Sequence, residues 1–231
     1  MSLAFRPQPT AAPTIHATSS PSAPRAHRPV LVVVEGVHDV AFLKAIATVW
    51  RQVDPELPDL AHYERRRQIV FLPIGGGGAR DIAAWATRLD ALPWPRFHLH
   101  DRETQPETGR RLAALATIDR QPNRCARITS KRSLENYLHP AAIVAAGGPA
   151  LALGDHVDVA TSVAAARFRA TAPQVRWRDL QRQAQRRLVG RTKRWLNTVV
   201  VARMTPPWAA VRDPAGEVAR WLREIDELVH W

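Results

Sequence analysis

Residues 31–46 read LVVVEGVHDVAFLKAI. A run of leucine and valines enters Glu35 and Gly36 without a break, and Asp39 follows four places after the glutamate. An apolar run without alternation suits a strand buried on both faces of a parallel sheet. Apolar residues at helical spacing from Val40 to Trp50 place a helix directly after it. A strand that needs only to stop manages with Gly, Asn or Pro, whereas this one ends on a carboxylate.

The unit recurs outward from that stretch. IVFLPI (69–74) reads as a second strand, followed by Gly75–Gly78 and a helix over 79–92. RFHLH (96–100) is a third, followed by a polar loop and a helix near 107–117, and CARIT (125–129) is a fourth. Repeated β–α units with short connections imply an α/β, Rossmann-like fold, with a central mainly parallel sheet flanked by helices. SLENYLHPAAIVAAGG (133–148) reads as a helix broken by Pro140. Beyond Gly154 the strand signals fade. Trp177, Leu180, Ala184 and Leu188 form one stripe with Arg on the others, and Val218, Trp221, Leu222, Ile225 and Leu228 repeat the pattern. The expected division is a tail (1–29), a core (30–150) and a C-terminal helical lobe (151–231), with the lobe's tryptophans in its core. The tail, rich in Pro, Ala, Ser and Thr, cannot bury enough surface to offset ordering entropy and is expected to be disordered.

The formal charge of +12 is unevenly spread. Residues 35–159 carry 16 Lys and Arg against 15 acids, whereas 160–231 carry 14 against 6. A basic lobe beside an acid-bearing core suggests a polyanion held by one part and processed by the other. The grip is expected at Arg182, Arg186, Arg187 and Arg191. Only Lys44, Lys131 and Lys193 among the basic residues are lysines. The single cysteine, Cys125, excludes an internal disulfide framework and fits a reducing, cytoplasmic setting. No segment has the continuous apolar length of a membrane span or of a secretory signal.

Side chains at the carboxyl ends of parallel strands converge on one crevice. Glu35 ends the first strand and Asp101 the third. Asp39 falls in the first turn of the following helix, Glu103 two residues past Asp101, and Glu135 after the fourth strand. Five carboxylates at one rim repel each other unless cations join them. A hard divalent ion, Mg²⁺ or Mn²⁺, takes oxygen ligands and pairs carboxylates with substrate phosphates. One or two such ions are expected, held by Glu35, Asp39, Asp101, Glu103 and Glu135. Gly75, Gly76, Gly77 and Gly78 read either as a backbone cradle for phosphate at a helix N-terminus or as a close-packed turn. No Gly-Lys-Ser/Thr follows, so this is no ATP-binding P-loop. His98 and His100 share a strand face, but no second pair of ligands makes a zinc site of them.

Four segments in order resemble a Toprim domain, the metal-binding module of topoisomerases, bacterial primases and OLD-family (overcoming-lysogenisation-defect) nucleases. They are VVVEGVHD (32–39), PIGGGGARDI (73–82), HLHDRE (98–103) and KRSLENYL (131–138). The last is similar to a Glu-Asn-Tyr-Leu segment of the OLD-type branch. Where the pattern has Asp-x-Asp, this chain has Asp101-Arg102-Glu103, one methylene longer at the second ligand. The resemblance implies metal-dependent phosphodiester hydrolysis of DNA, or of RNA, with Glu35 at its centre. It also implies an active-site lysine, at Lys193 in GRTKRWLN, with Lys131 the other candidate to neutralise a phosphate. OLD-type nucleases carry an ATPase domain on the same chain; none is visible here, so an ATPase is expected as a separate partner. A non-catalytic nucleic-acid-binding module and primase- or topoisomerase-like chemistry are the alternatives.

Overall fold

A computed structural model describes residues 28–76 and 78–231; nearly all of the tail expected over 1–29, together with Gly77, lies outside the described residues. Strands β1 (Val30–Val34), β2 (Ile69–Pro73), β3 (Arg96–His100) and β4 (Arg124–Ile128) pair in parallel in the order β2-β1-β3-β4. The crossovers carry α1 (Val37–Trp50), α2 (Leu60–Arg65), α3 (Ala79–Leu89) and α4 (Glu107–Asp119). The fold is α/β, with a four-stranded parallel sheet flanked by helices.

The unbroken apolar run of β1 is explained by its place in the middle. Val30, Val32 and Val34 face one layer with Phe97 and Leu99, while Leu31 and Val33 face the other with Ile74 and Leu89. The strand order also makes a switch point. From β1 the chain adds β2 on one side, then returns to add β3 and β4 on the other. Connections leave the carboxyl ends of β1 and β3 in opposite directions, which opens a crevice between them. Glu35 and Asp101 are the first residues past those two ends.

Pro140 does not break a helix. A 3₁₀ turn (Leu134–Tyr137) comes first, and α5 (Pro140–Ala145) then starts on the proline, where its missing N–H costs nothing. The C-terminal segment divides differently from the expected lobe. Val218, Trp221, Leu222 and Ile225 of α9 (Glu217–His230) are buried in the same core as β1 and β3. Trp221 meets Tyr137 edge-on, their ring centres 5.4 Å apart; truncating it to alanine is expected to cost about 3–5 kcal/mol. The sheet therefore needs residues from both ends of the chain. α6 (Val159–Thr171) sends Val159, Ala160 and Val163 into that core, whereas α7 (Arg182–Trp195) stands off it with Thr192 as its one buried residue. After Trp195 the helix widens into a π turn (Leu196–Val200), tightens into a 3₁₀ turn (Val201–Arg203) and leads to α8 (Pro206–Arg212). No helix of the described residues is long and apolar enough to cross a membrane.

Candidate functional site

Glu35, Asp39, Asp101 and Glu135 meet at the switch point, each held by a local device. Gly36 caps α1, and its N–H donates to Asp39 Oδ2 at 2.8 Å. The Asp101 N–H donates to Glu35 Oε1 at 3.0 Å, linking the ends of β1 and β3. The Leu134 N–H donates to Asp101 Oδ1 at 3.0 Å. Glu135 sits in the 3₁₀ turn that Asn136 pins by accepting from the Ser133 N–H and donating to the carbonyls of Gly154 and Val157. Asn197 Nδ2 donates to Glu135 Oε1 at 2.8 Å.

Lys193 closes the arrangement from the last turn of α7. Its Nζ stands 3.6 Å from Asp39 Oδ1, 3.8 Å from Asp101 Oδ2 and 3.6 Å from Glu135 Oε1. Glu35 is served instead by Arg111, whose Nη1 donates to Glu35 Oε1, with His100 Nδ1 3.7 Å away. Four carboxylates thus face two obligate cations, so the site is short of positive charge. Its titration reflects this. Burial, joined by the charges of Glu35, Glu135 and Asp39, pushes Asp101 well above the usual carboxylate range against the opposing Lys193. Burial also raises Asp39, again against Lys193. At Glu35 burial acts upward too, but His100 and Arg111 outweigh it and hold the carboxyl low. Burial disfavours the Lys193 charge, yet Glu135, Asp101 and Asp39 raise its pKa.

Among the described residues no three His, Cys, Asp or Glu side chains are grouped to chelate one ion, and Lys193 takes the central place. The donors nonetheless suit a hard divalent cation. All are oxygens, and each carboxylate has one oxygen bonded to a fixed donor. Asp39 Oδ1 is buried without a hydrogen-bond partner. Such half-tied carboxylates in a charge-deficient crevice match the preferences of Mg²⁺ or Mn²⁺. A cleft of about 440 Å³ opens beside them, lined by Glu35, His38, Asp39, Gly75, Gly76 and Lys193 among others.

Three sequence expectations are not met by the geometry. Glu103 stands outside the cluster: the chain turns there through the left-handed region (φ 57°), and its carboxylate lies 3.7 Å from Arg132 Nε. Lys131 is engaged elsewhere, with its Nζ 2.5 Å from Asp155 and over the Tyr137 ring. Gly75 and Gly76 line the cleft, but among the described residues the start of α3 is no open phosphate cradle. The Ala79 N–H at the start of α3 donates to Glu107 Oε1 at 2.7 Å, and Asp81 Oδ2 lies against Gly76 and Gly78, where any Cβ would crowd it at 3.2–3.3 Å. Glu107 already takes the first N–H of that helix. Tyr137 packs, its hydroxyl donating to Glu217. Cys125 donates to Glu224 and is pushed up to about 12, chiefly by burial.

Arg111 and Asn197 were missed by the sequence reading, although both leave a trace in it. Arg111 shares the buried stripe of α4 with Thr108, Leu115 and Ile118, an arginine at an apolar position. Asn197 follows Lys193 by four, and the π turn brings both onto Glu135. Along α7, Arg182, Arg186, Arg187, Arg191 and Arg194 are all exposed, and among the described residues none has a carboxylate partner.

No family model matches this chain, and no curated protein matches it. Among solved structures, the C-terminal region of the Xanthomonas campestris pv. campestris OLD protein is similar at 14% identity and a TM-score of 0.47, covering 87% of this chain and 95% of that one.

Proposed function

We propose that this protein is a Toprim-type nuclease of the OLD-like kind, which hydrolyses phosphodiester bonds of DNA, or of RNA, with Mg²⁺ or Mn²⁺. One observation carries the reading. Four carboxylates, each with one oxygen tied to a fixed donor, share a charge-deficient crevice at the switch point of a parallel sheet, three of them around Lys193 and Glu35 on Arg111. The order of the motifs around Glu35, Asp101 and Glu135 supports it. Glu35, Asp39, Asp101 and Glu135 would hold the cation, which supplies Lewis acidity to a water and to the scissile phosphate. Lys193 neutralises charge on the phosphate from the cleft wall. The exposed arginines of α7 bind the backbone without reading sequence. The activity is proposed to work with an ATPase, and the setting is cytoplasmic.

One observation favours a second reading. Lys193 fills the space between the acids, as it would in a nucleic-acid-binding module whose acids are only neutralised. Incubating plasmid and oligonucleotide DNA and RNA with the protein in Mg²⁺, Mn²⁺ and EDTA separates the two. Cleavage that EDTA abolishes is expected. Binding without cleavage under every metal condition supports the module.

A further inference from the structure

Arg111 has a side chain only 6% exposed, and a guanidinium kept out of water costs several kcal/mol unless opposite charge is close by. Nη1 donates both to Glu35 Oε1 and to the Asp101 carbonyl, the latter at 2.6 Å. Nε is buried without a hydrogen-bond partner and meets Glu107 only as a charge, 3.6 Å from Oε1, the same oxygen that accepts the Ala79 N–H. One side chain thus joins the ends of β1 and β3 to α4, and through Glu107 to the start of α3. Lys193 comes within 4 Å of Asp39, Asp101 and Glu135, but not of Glu35. Arg111 is therefore the obligate cation paired with Glu35.

We propose that Arg111 is a positioning residue for Glu35. It engages Oε1 in the protein frame and leaves Oε2 for the cation. The inference rests on the metal-dependent reading above. Two physical roles for Arg111 predict opposite signs. If it were only a counter-charge, removing it would leave the acids more negative and tighten cation binding. If it orients Glu35, removing it frees the carboxylate to swing and weakens binding, as losing an outer-sphere partner does.

Calorimetric titration of the full chain with Mn²⁺ tests this, with melting curves to confirm folding. Arg111→Met is expected to bind Mn²⁺ about ten- to a hundredfold more weakly than wild type. Arg111→Lys, which keeps the charge on a shorter reach, should fall between the two. Arg110→Met, on the exposed side of the same helix, should match wild type. Arg111→Met affinity equal to or tighter than wild type overturns the inference and leaves the metal reading standing. If Arg111→Met does not fold, Arg111→Lys decides, and wild-type affinity there overturns the inference. A wild type that binds no Mn²⁺ removes the metal reading and this inference with it.

Discussion

The acids at the ends of β1 and β3 and the arginines of α7 are both dense charge clusters, yet they meet water differently. Glu35, Asp39, Asp101 and Glu135 are buried or nearly so, and each is tied by a backbone or side-chain donor. Arg182, Arg186, Arg187 and Arg191 are exposed and have no carboxylate partners among the described residues. Buried charge must be satisfied internally or shift its titration; exposed charge is solvated and remains free to pair with a ligand. The first arrangement suits chemistry that needs fixed geometry, the second a salt-sensitive grip. α7 spans both, with arginines along its length and Lys193 among the acids at its foot, near the negative end of the helix dipole.

That contrast predicts that the clusters fail in different ways. The largest effect is expected at Glu35. Glu35→Gln keeps the size and removes the charge, so cleavage should fall by several orders of magnitude while DNA affinity holds or rises slightly. Cleavage at the wild-type rate, in a variant shown to fold, would sink the catalytic half of the comparison.

Reversing Arg182, Arg186 and Arg187 to Glu should do the opposite, abolishing most affinity without touching the site. The slope of log affinity against log salt should become shallower by about 2–3, from roughly 0.9 per lost phosphate contact on duplex DNA. A filter-binding series at two salt concentrations checks it, and an unchanged slope means these arginines do not face phosphate. Asn197→Ala lies between the extremes. It removes the donor to Glu135 but no charge, so Mn²⁺ affinity should fall by about tenfold, while melting without metal moves little. Equal Mn²⁺ affinity would show that Glu135 needs no such tether.

The last effect concerns stability alone. His98 is buried on β3, and burial lowers its pKa to about 3 from 6.5. Above pH 6.5 the folded and unfolded chains bind the same number of protons at this ring. Below it only the unfolded chain takes one up, so stability drops as pH falls towards about 3, by up to about 1.4 kcal/mol per pH unit. His98→Phe should flatten that limb of a urea-denaturation series. An unchanged limb would assign the acid sensitivity to other groups.

Several elements were legible because their signal is local. VLVVV needs only its own composition to read as a doubly covered strand, and β3 begins and ends where RFHLH does. The α9 stripe of Val218, Trp221, Leu222 and Ile225 is visible as periodicity alone. Pro140 misled, because a proline opens a helix as readily as it breaks one, and only the preceding turn shows which. Glu103 misled for a similar reason: a motif gives spacing, whereas the left-handed turn at that residue sends the side chain to Arg132.

From the sequence alone came the α/β class, the strand-end positions of Glu35 and Asp101, and a basic α7, since each follows from residue order within a dozen positions. Tertiary structure decided the rest. Strand order placed β3 beside β1 and so made the crevice, and only a folded α4 brings Arg111 to Glu35 across 76 positions of chain. The same holds for Lys193 rather than Lys131 standing among the acids. Charge pairing over such separations depends on which surfaces the core packs together, and no local pattern of residues encodes that.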